Sequence, residues 1–146
     1  LRKDFVVTEY QLWEGAAAGA DLALLIVAAL TPTQLADYLA LGRRLGITCL
    51  VEAHTSDEVR QARDAGAELL GINNRNLKTL EVDLANFEKM ASLIDGEAIR
   101  VAESGILSVA DARRMREAGA DAVLVGELLV RDGDPAAMVA ALRSLA

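Results

Sequence analysis

Val101-Ala102-Glu103-Ser104-Gly105-Ile106, VAESGI, is a short apolar run that stops at a carboxylate and turns on a glycine just before a helix begins. Further on, Leu124-Val125-Gly126-Glu127-Leu128 repeats the same grammar, with Gly126 and Glu127 at the turn. Joints of this kind, where a strand stops and a helix starts, are where parallel α/β folds keep their chemistry. The rest of the chain places such joints.

Self-similarity shows how. AAAGADLALLIV from Ala16, ARDAGAELLGIN from Ala62 and MREAGADAVLVG from Met115 share Ala-Gly-Ala-acid followed by an apolar run. Gly19, Gly66 and Gly119 are too far apart for one helix-and-strand unit between them and correctly spaced for two. Gly46 and Gly96 fall at the intervening joints, so five helix-to-strand connections carry the residue that most readily takes the left-handed conformation closing a helix.

Reading outward from these joints predicts strands near Leu1–Phe5, Leu22–Val27, Thr48–Glu52, Leu69–Ile72, Arg100–Ala102 and Ala122–Val125. Helices are expected near Thr8–Ala18, Thr33–Leu45, Ser56–Ala65, Asp83–Ile94, Ser108–Ala118 and Asp134–Leu145. Ser56 before Asp57 and Glu58, Ser108 three residues before Asp111, and Asp134 before Pro135 signal helix starts. The strands are apolar on both faces, which fits parallel strands covered by helices. Their uniform shortness, with polar residues at nearly every carboxyl end, favours a TIM-type (βα)8 barrel over an open doubly wound sheet. A complete barrel needs about 250 residues, and LRKDF opens without methionine on what reads as strand, so the expectation is a six-unit portion, strands 3 to 8, forming one domain over residues 1–146.

Composition sets outer bounds. The chain is 53% hydrophobic and 25% charged with two prolines, enough for a packed core. A net charge of -7 disfavours nucleic acid and anionic membrane as principal partners, because both require a basic surface. The longest apolar run, Leu22–Leu30, is too short to span a bilayer, which takes about 20 residues. Cys49 stands alone and no signal-like segment opens the chain, so a cytoplasmic setting is expected. His54 is the single histidine, with no zinc-ligand spacing and no supported nucleophile beside it, and it reads as idle; no metal site is expected.

The candidate residues then sort by position. Lys3 lies within an apolar run, and Glu52 and Glu103 close the runs CLVEAH and RVAESG. Each has an ordinary reading: a lysine at a frayed terminus, carboxylates that cap helices. In a barrel, side chains of one interior layer come from alternate strands, and these three sit on the first, third and fifth predicted strands, so they are expected to converge. Two carboxylates favour a charged lysine, suiting Lys3 as general acid and a glutamate as base. Asn73, Asn74 and Arg75 follow LLGI; they read either as turn chemistry or, for Arg75, as a bidentate clamp on a carboxylate with Asn73 fixing a hydroxyl or carbonyl. Ser104 with Gly105, and Gly126 with Glu127, either close turns or present backbone N–H groups to a phosphate.

Together LRKDF, LLIVAAL, LVEAH, GINNRNLKTLEVD, VAESGI and LVGELLVR, in this order and spacing, resemble the indole-3-glycerol-phosphate synthase family of tryptophan biosynthesis. The resemblance implies a carbon-carbon lyase without cofactor, whose partner is a small phosphorylated substrate, 1-(2-carboxyphenylamino)-1-deoxyribulose 5-phosphate. It implies that Lys3 matches the general acid and Glu52 the acid/base used in dehydration. Asn73, Arg75 and Glu103 match residues orienting the substrate, Ser104, Gly105, Gly126 and Glu127 a phosphate cradle, and Phe5, Leu24 and Leu80 an apolar pocket for the anthranilate ring. One departure is Glu127, where many members carry serine, leaving only its backbone N–H for a phosphate. The other is that the family's first two strands, with a phosphate-contacting lysine and another catalytic glutamate, have no counterpart. The competing expectation is an inactive barrel scaffold that forms homo-oligomers through open sheet edges.

Overall fold

The computed structural model describes residues 1–94, 96–131 and 133–145. Five strands, β1 Leu22–Ile26, β2 Thr48–Ala53, β3 Leu69–Asn73, β4 Ile99–Glu103 and β5 Ala122–Leu124, lie in one all-parallel sheet in chain order. The helices before, between and after them are α1 Glu9–Ala17, α2 Pro32–Leu45, α3 Ser56–Asp64, α4 Ala85–Ala91, α5 Val109–Glu117, α6 Glu127–Arg131 and α7 Pro135–Arg143. Among the described residues no helix is long and apolar enough to cross a membrane.

The expected glycine joints are real. Gly19, Gly46, Gly66, Gly96 and Gly119 all have φ between 71° and 99°, the left-handed region that side chains avoid. Helix starts follow the caps, with one shift. Ser108 accepts from the Asp111 N–H at 3.1 Å and Asp134 from Ala137 at 3.0 Å. At α3 the cap is Thr55 instead of Ser56, in a reciprocal box with Glu58.

The first expected strand is corrected: Leu1–Phe5 forms only a single parallel bridge, Arg2 to Ala23. Two ladder bonds hold it, Arg2 N–H to the Leu22 carbonyl at 2.8 Å and Leu24 N–H to the Arg2 carbonyl at 3.0 Å. Among the described residues no further ladder bond follows Arg2; beyond it, Asp4 Oδ1 accepts the Phe5 N–H at 2.8 Å, a local side-chain-to-backbone bond. α6 was also not anticipated; it is a single short turn after Gly126.

The distribution of core residues separates the two candidate folds. One cluster joins Ala23, Leu25, Val51, Leu70, Ile72 and Ala102 of the strands to Leu12, Leu35, Leu39, Val59, Phe87, Ala112 and Met115 of the helices. A second, small cluster holds only strand residues, Leu24, Ile26, Leu50 and Val101, with Leu69 and Leu124 against it. Because side chains alternate across a strand, these are opposite faces of one sheet, and the helices cover only one of them. A doubly wound sheet carries helices on both faces; this is a partial (βα)8 barrel, and the helix-free face is its interior.

Phe87 is fully buried in the helix-covered core, whereas Val130 is 81% exposed. Phe87→Ala is expected to destabilise the fold by about 3–5 kcal/mol in urea unfolding. Val130→Ala is expected to stay within about 0.5 kcal/mol of the parent.

Candidate active site

The interior face ends, at the carboxyl edge of the sheet, in a ring of polar groups. Glu52 of β2 and Glu103 of β4 are 3% and 1% exposed. Lys3 reaches across from the bridging segment and places its ammonium between them, 3.3 Å from Glu52 Oε2 and 3.0 Å from Glu103 Oε2. The three therefore converge although Lys3 does not stand on a full strand.

Burial alone opposes the Lys3 charge, but the carboxylates outweigh it and the ammonium is held above its usual 10.5. The Glu103 carboxyl is pushed up to about 7, first by burial and then by the Glu52 charge, with Lys3 pulling the other way. Near neutral pH the cluster thus holds both a fully charged donor and a carboxyl poised to take or release a proton.

Asn73 ends β3 and locks Glu52. Its Nδ2 donates to Glu52 Oε1 at 2.9 Å, and its Oδ1 accepts the Arg75 N–H at 2.9 Å. The Asn73 carbonyl is itself clamped. Asn86 Nδ2 donates to the carbonyls of His54 and Asn73, both at 3.1 Å, which uses its two protons. The 2.7 Å contact of His54 Nδ1 with the Asn73 carbonyl is then a donation by the ring, fixing the Nδ1–H tautomer. His54, which reads as idle in the sequence, is a brace behind Asn73.

Asn74 was legible only as a turn residue, yet it is 1% exposed and fully engaged. Its N–H donates to the Glu103 carbonyl at 2.8 Å, its Nδ2 to the Ser104 carbonyl at 3.2 Å, and its Oδ1 accepts from Phe87 at 3.0 Å. It ties the loop after β3 to the loop after β4.

Ser104 and Gly105 both lie in the left-handed region, at φ 64° and 75°. A Cβ on Gly105 would sit 2.4 Å from Val82 Cγ1, so glycine is required there twice over. Lys3, Arg75, Ser104, Gly105, Gly126 and Glu127 line a single cavity of about 280 Å³. The Glu127 carboxylate pairs with Arg131 at 3.2 Å along its own helix. Arg75 donates to the Leu80 carbonyl at 3.3 Å.

The expected apolar trio is not assembled. Leu24 is buried on the interior face, but Phe5 and Leu80 are 56% and 63% exposed, and neither lines that cavity. Leu80 sits at φ 63°, on a loop folded back by the Arg75–Val82 bridge. A roomier hollow of about 350 Å³ between α5, β5 and α7 is walled mainly by alanine, valine and leucine and holds none of the converging groups.

The model of the indole-3-glycerol phosphate synthase family matches residues 1–142. The chain belongs to that family. It is 56% identical over 142 residues to the indole-3-glycerol phosphate synthase of Kineococcus radiotolerans, a match covering 97% of this chain and 52% of that protein. With the Streptomyces griseus synthase it shares 54% identity, over 97% of this chain and 53% of the relative. The chain spans about half the length of these curated relatives. In fold it is similar to 3-hexulose-6-phosphate synthase from Salmonella typhimurium, with a TM-score of 0.79 at 17% identity, over 94% of this chain and 66% of that one.

The raised Glu103 carboxyl has a consequence for stability in this synthase-family chain. Its folded value, about 7, lies above the ordinary 4.5, so between these the native state binds more protons than the unfolded state. Its contribution is most favourable below about 4.5 and is lost as pH rises through about 7. The unfolding free energy of the parent, relative to Glu103→Gln, is expected to fall between pH 5 and pH 8 in urea titrations. A difference that stays flat or rises across that window would contradict the assignment.

Proposed function

We propose that this chain supplies barrel strands 3 to 8 of an indole-3-glycerol phosphate synthase, a carbon-carbon lyase acting in the cytoplasm. The reaction closes the indole ring of 1-(2-carboxyphenylamino)-1-deoxyribulose 5-phosphate with loss of carbon dioxide and water. The observation that carries the reading is the Lys3 ammonium held 3.3 Å and 3.0 Å from two buried carboxylates at the carboxyl end of the barrel.

In this reading Lys3 is the general acid. An ammonium has three protons to donate, and two are directed at Glu52 and Glu103, leaving one for a substrate oxygen. It protonates the ribulose carbonyl oxygen as the ring carbon attacks, so that no alkoxide accumulates. As carbon dioxide leaves, the pair of its broken bond returns to the ring and restores its aromaticity, and Glu52, oriented by Asn73, then serves as acid/base when water departs. Glu103 recharges Lys3 and orients a substrate hydroxyl. Arg75 faces the anthranilate carboxylate, and the backbone of Ser104, Gly105, Gly126 and Glu127 holds the phosphate. Leu24, buried on the interior face, supplies apolar contact to the aromatic ring.

A scaffold reading is favoured by a different observation: Phe5, Tyr10 and Trp13, all in the segment that precedes the edge strand β1, are large hydrophobic side chains left exposed. Turnover of the carboxyphenylamino-deoxyribulose phosphate, followed by indole fluorescence, decides between them. The account expects activity that falls roughly 10²-fold or more in Lys3→Ala, the usual scale for a general acid. Equal activity in parent and variant would remove Lys3 from its role, and no activity in either would favour the scaffold.

A further inference from the structure

Gly71 stands in the middle of β3, in register with Glu52 of β2 and Val101 of β4. Glycine weakens a strand interior, by about 0.5–1 kcal/mol relative to alanine, so its presence there calls for a physical cause. The backbone supplies none: Gly71 is absent from the residues with positive φ. Space does supply one. A Cβ at Gly71 would lie 1.8 Å from Glu103 Oε1 and 2.9 Å from its Cδ, with Leu50 Cδ1 next at 3.2 Å. Neither carboxylate distance is one that non-bonded atoms tolerate.

Glu103 is held in an uneven way. Its Oε2 receives the Lys3 ammonium at 3.0 Å, while Oε1 is buried without a hydrogen-bond partner among the described residues. Oε2 is therefore held by the Lys3 ammonium, while Oε1 lies against the backbone in the hollow over Gly71.

We propose that Gly71 is a positioning residue for Glu103: its missing side chain is the seat in which the Glu103 carboxylate lies, and that seat delivers Oε2 to Lys3. The bearing on catalysis rests on the reaction proposed above, but the seating does not. Any side chain at Gly71 forces the carboxylate to swing off β3, parting it from Lys3 and returning it toward solvent. The interior row of β3, Leu69-Gly71-Asn73, is thus built around an absence: glycine for Glu103, flanked by the asparagine that holds Glu52.

A double-mutant cycle on the whole chain tests this, with Gly71→Ala, Glu103→Ala and the combination. In the parent, Gly71→Ala is expected to lower the thermal midpoint by about 3–10 °C, the scale of an overpacked core. In the Glu103→Ala background the same change is expected to cost less than a third of that. An equal cost in both backgrounds would overturn the proposal, because Leu50 or the strand itself would then be what excludes the methyl group. If Gly71→Ala alone fails to fold while the double variant folds like Glu103→Ala, the seating stands. A structural role would stop there, so the Glu103 carboxyl is also followed by carbon-13 titration. Its midpoint is expected to move from about 7 toward the ordinary carboxylate range in Gly71→Ala; an unmoved midpoint in a folded variant would overturn the proposal. Neither readout needs turnover, so a coupled cycle in a protein with no activity would sink the reaction and leave Gly71 in place.

Discussion

Everything at the carboxyl end of this sheet depends on one contact: an ammonium shared between two carboxylates that are almost fully buried. Two buried acids side by side are costly, because each opposes ionisation of the other and burial opposes both. Lys3 offsets that cost, and the remaining strain appears as a Glu103 carboxyl that titrates near neutrality. The Lys3 side chain is half-exposed, so water screens its attraction and the contact is a modest source of stability. Its value lies in orientation, with a charged donor and a nearly neutral carboxyl kept within reach of one small volume.

The fold serves that contact from both sides of the sheet. Helices bury one face in a large apolar core and leave the other lined by few residues, so the interior is free to end in polar groups. Left-handed glycines close the helices and return the chain to the sheet at regular intervals. Asn73 and Asn74 then fasten adjacent strand ends to one another, with His54 and Asn86 behind them. Rigid backbone placement of this kind is what lets short side chains such as asparagine set the geometry of longer ones such as glutamate.

Much of this was legible in the chain, for physical reasons that differ between features. The Ala-Gly-Ala-acid repeats located the strands and helices, because a helix end needing positive φ almost dictates its residue. Alternate-strand layering brought Lys3, Glu52 and Glu103 together from spacing alone. Strand pairing of Leu1–Phe5 was overestimated, since the run does not reveal that its pairing with β1 ends at Arg2. Phe5 and Leu80 read as pocket residues but lie in solvent, because loop side chains are placed by tertiary contacts that no periodicity records. His54 and Gly71 were missed for a related reason: a brace acts on a backbone carbonyl, and a seat acts by lacking atoms.

The shared ammonium is best tested by nitrogen-15 titration of the Lys3 side chain in the parent, Glu52→Gln and Glu103→Gln. The account predicts a midpoint above 10.5 in the parent that falls in each variant, as one attraction is removed and burial gains weight. A lysine that titrates at its ordinary value in all three proteins would mean that the ammonium does not sit between the carboxylates, and the proposed acid would be lost with it.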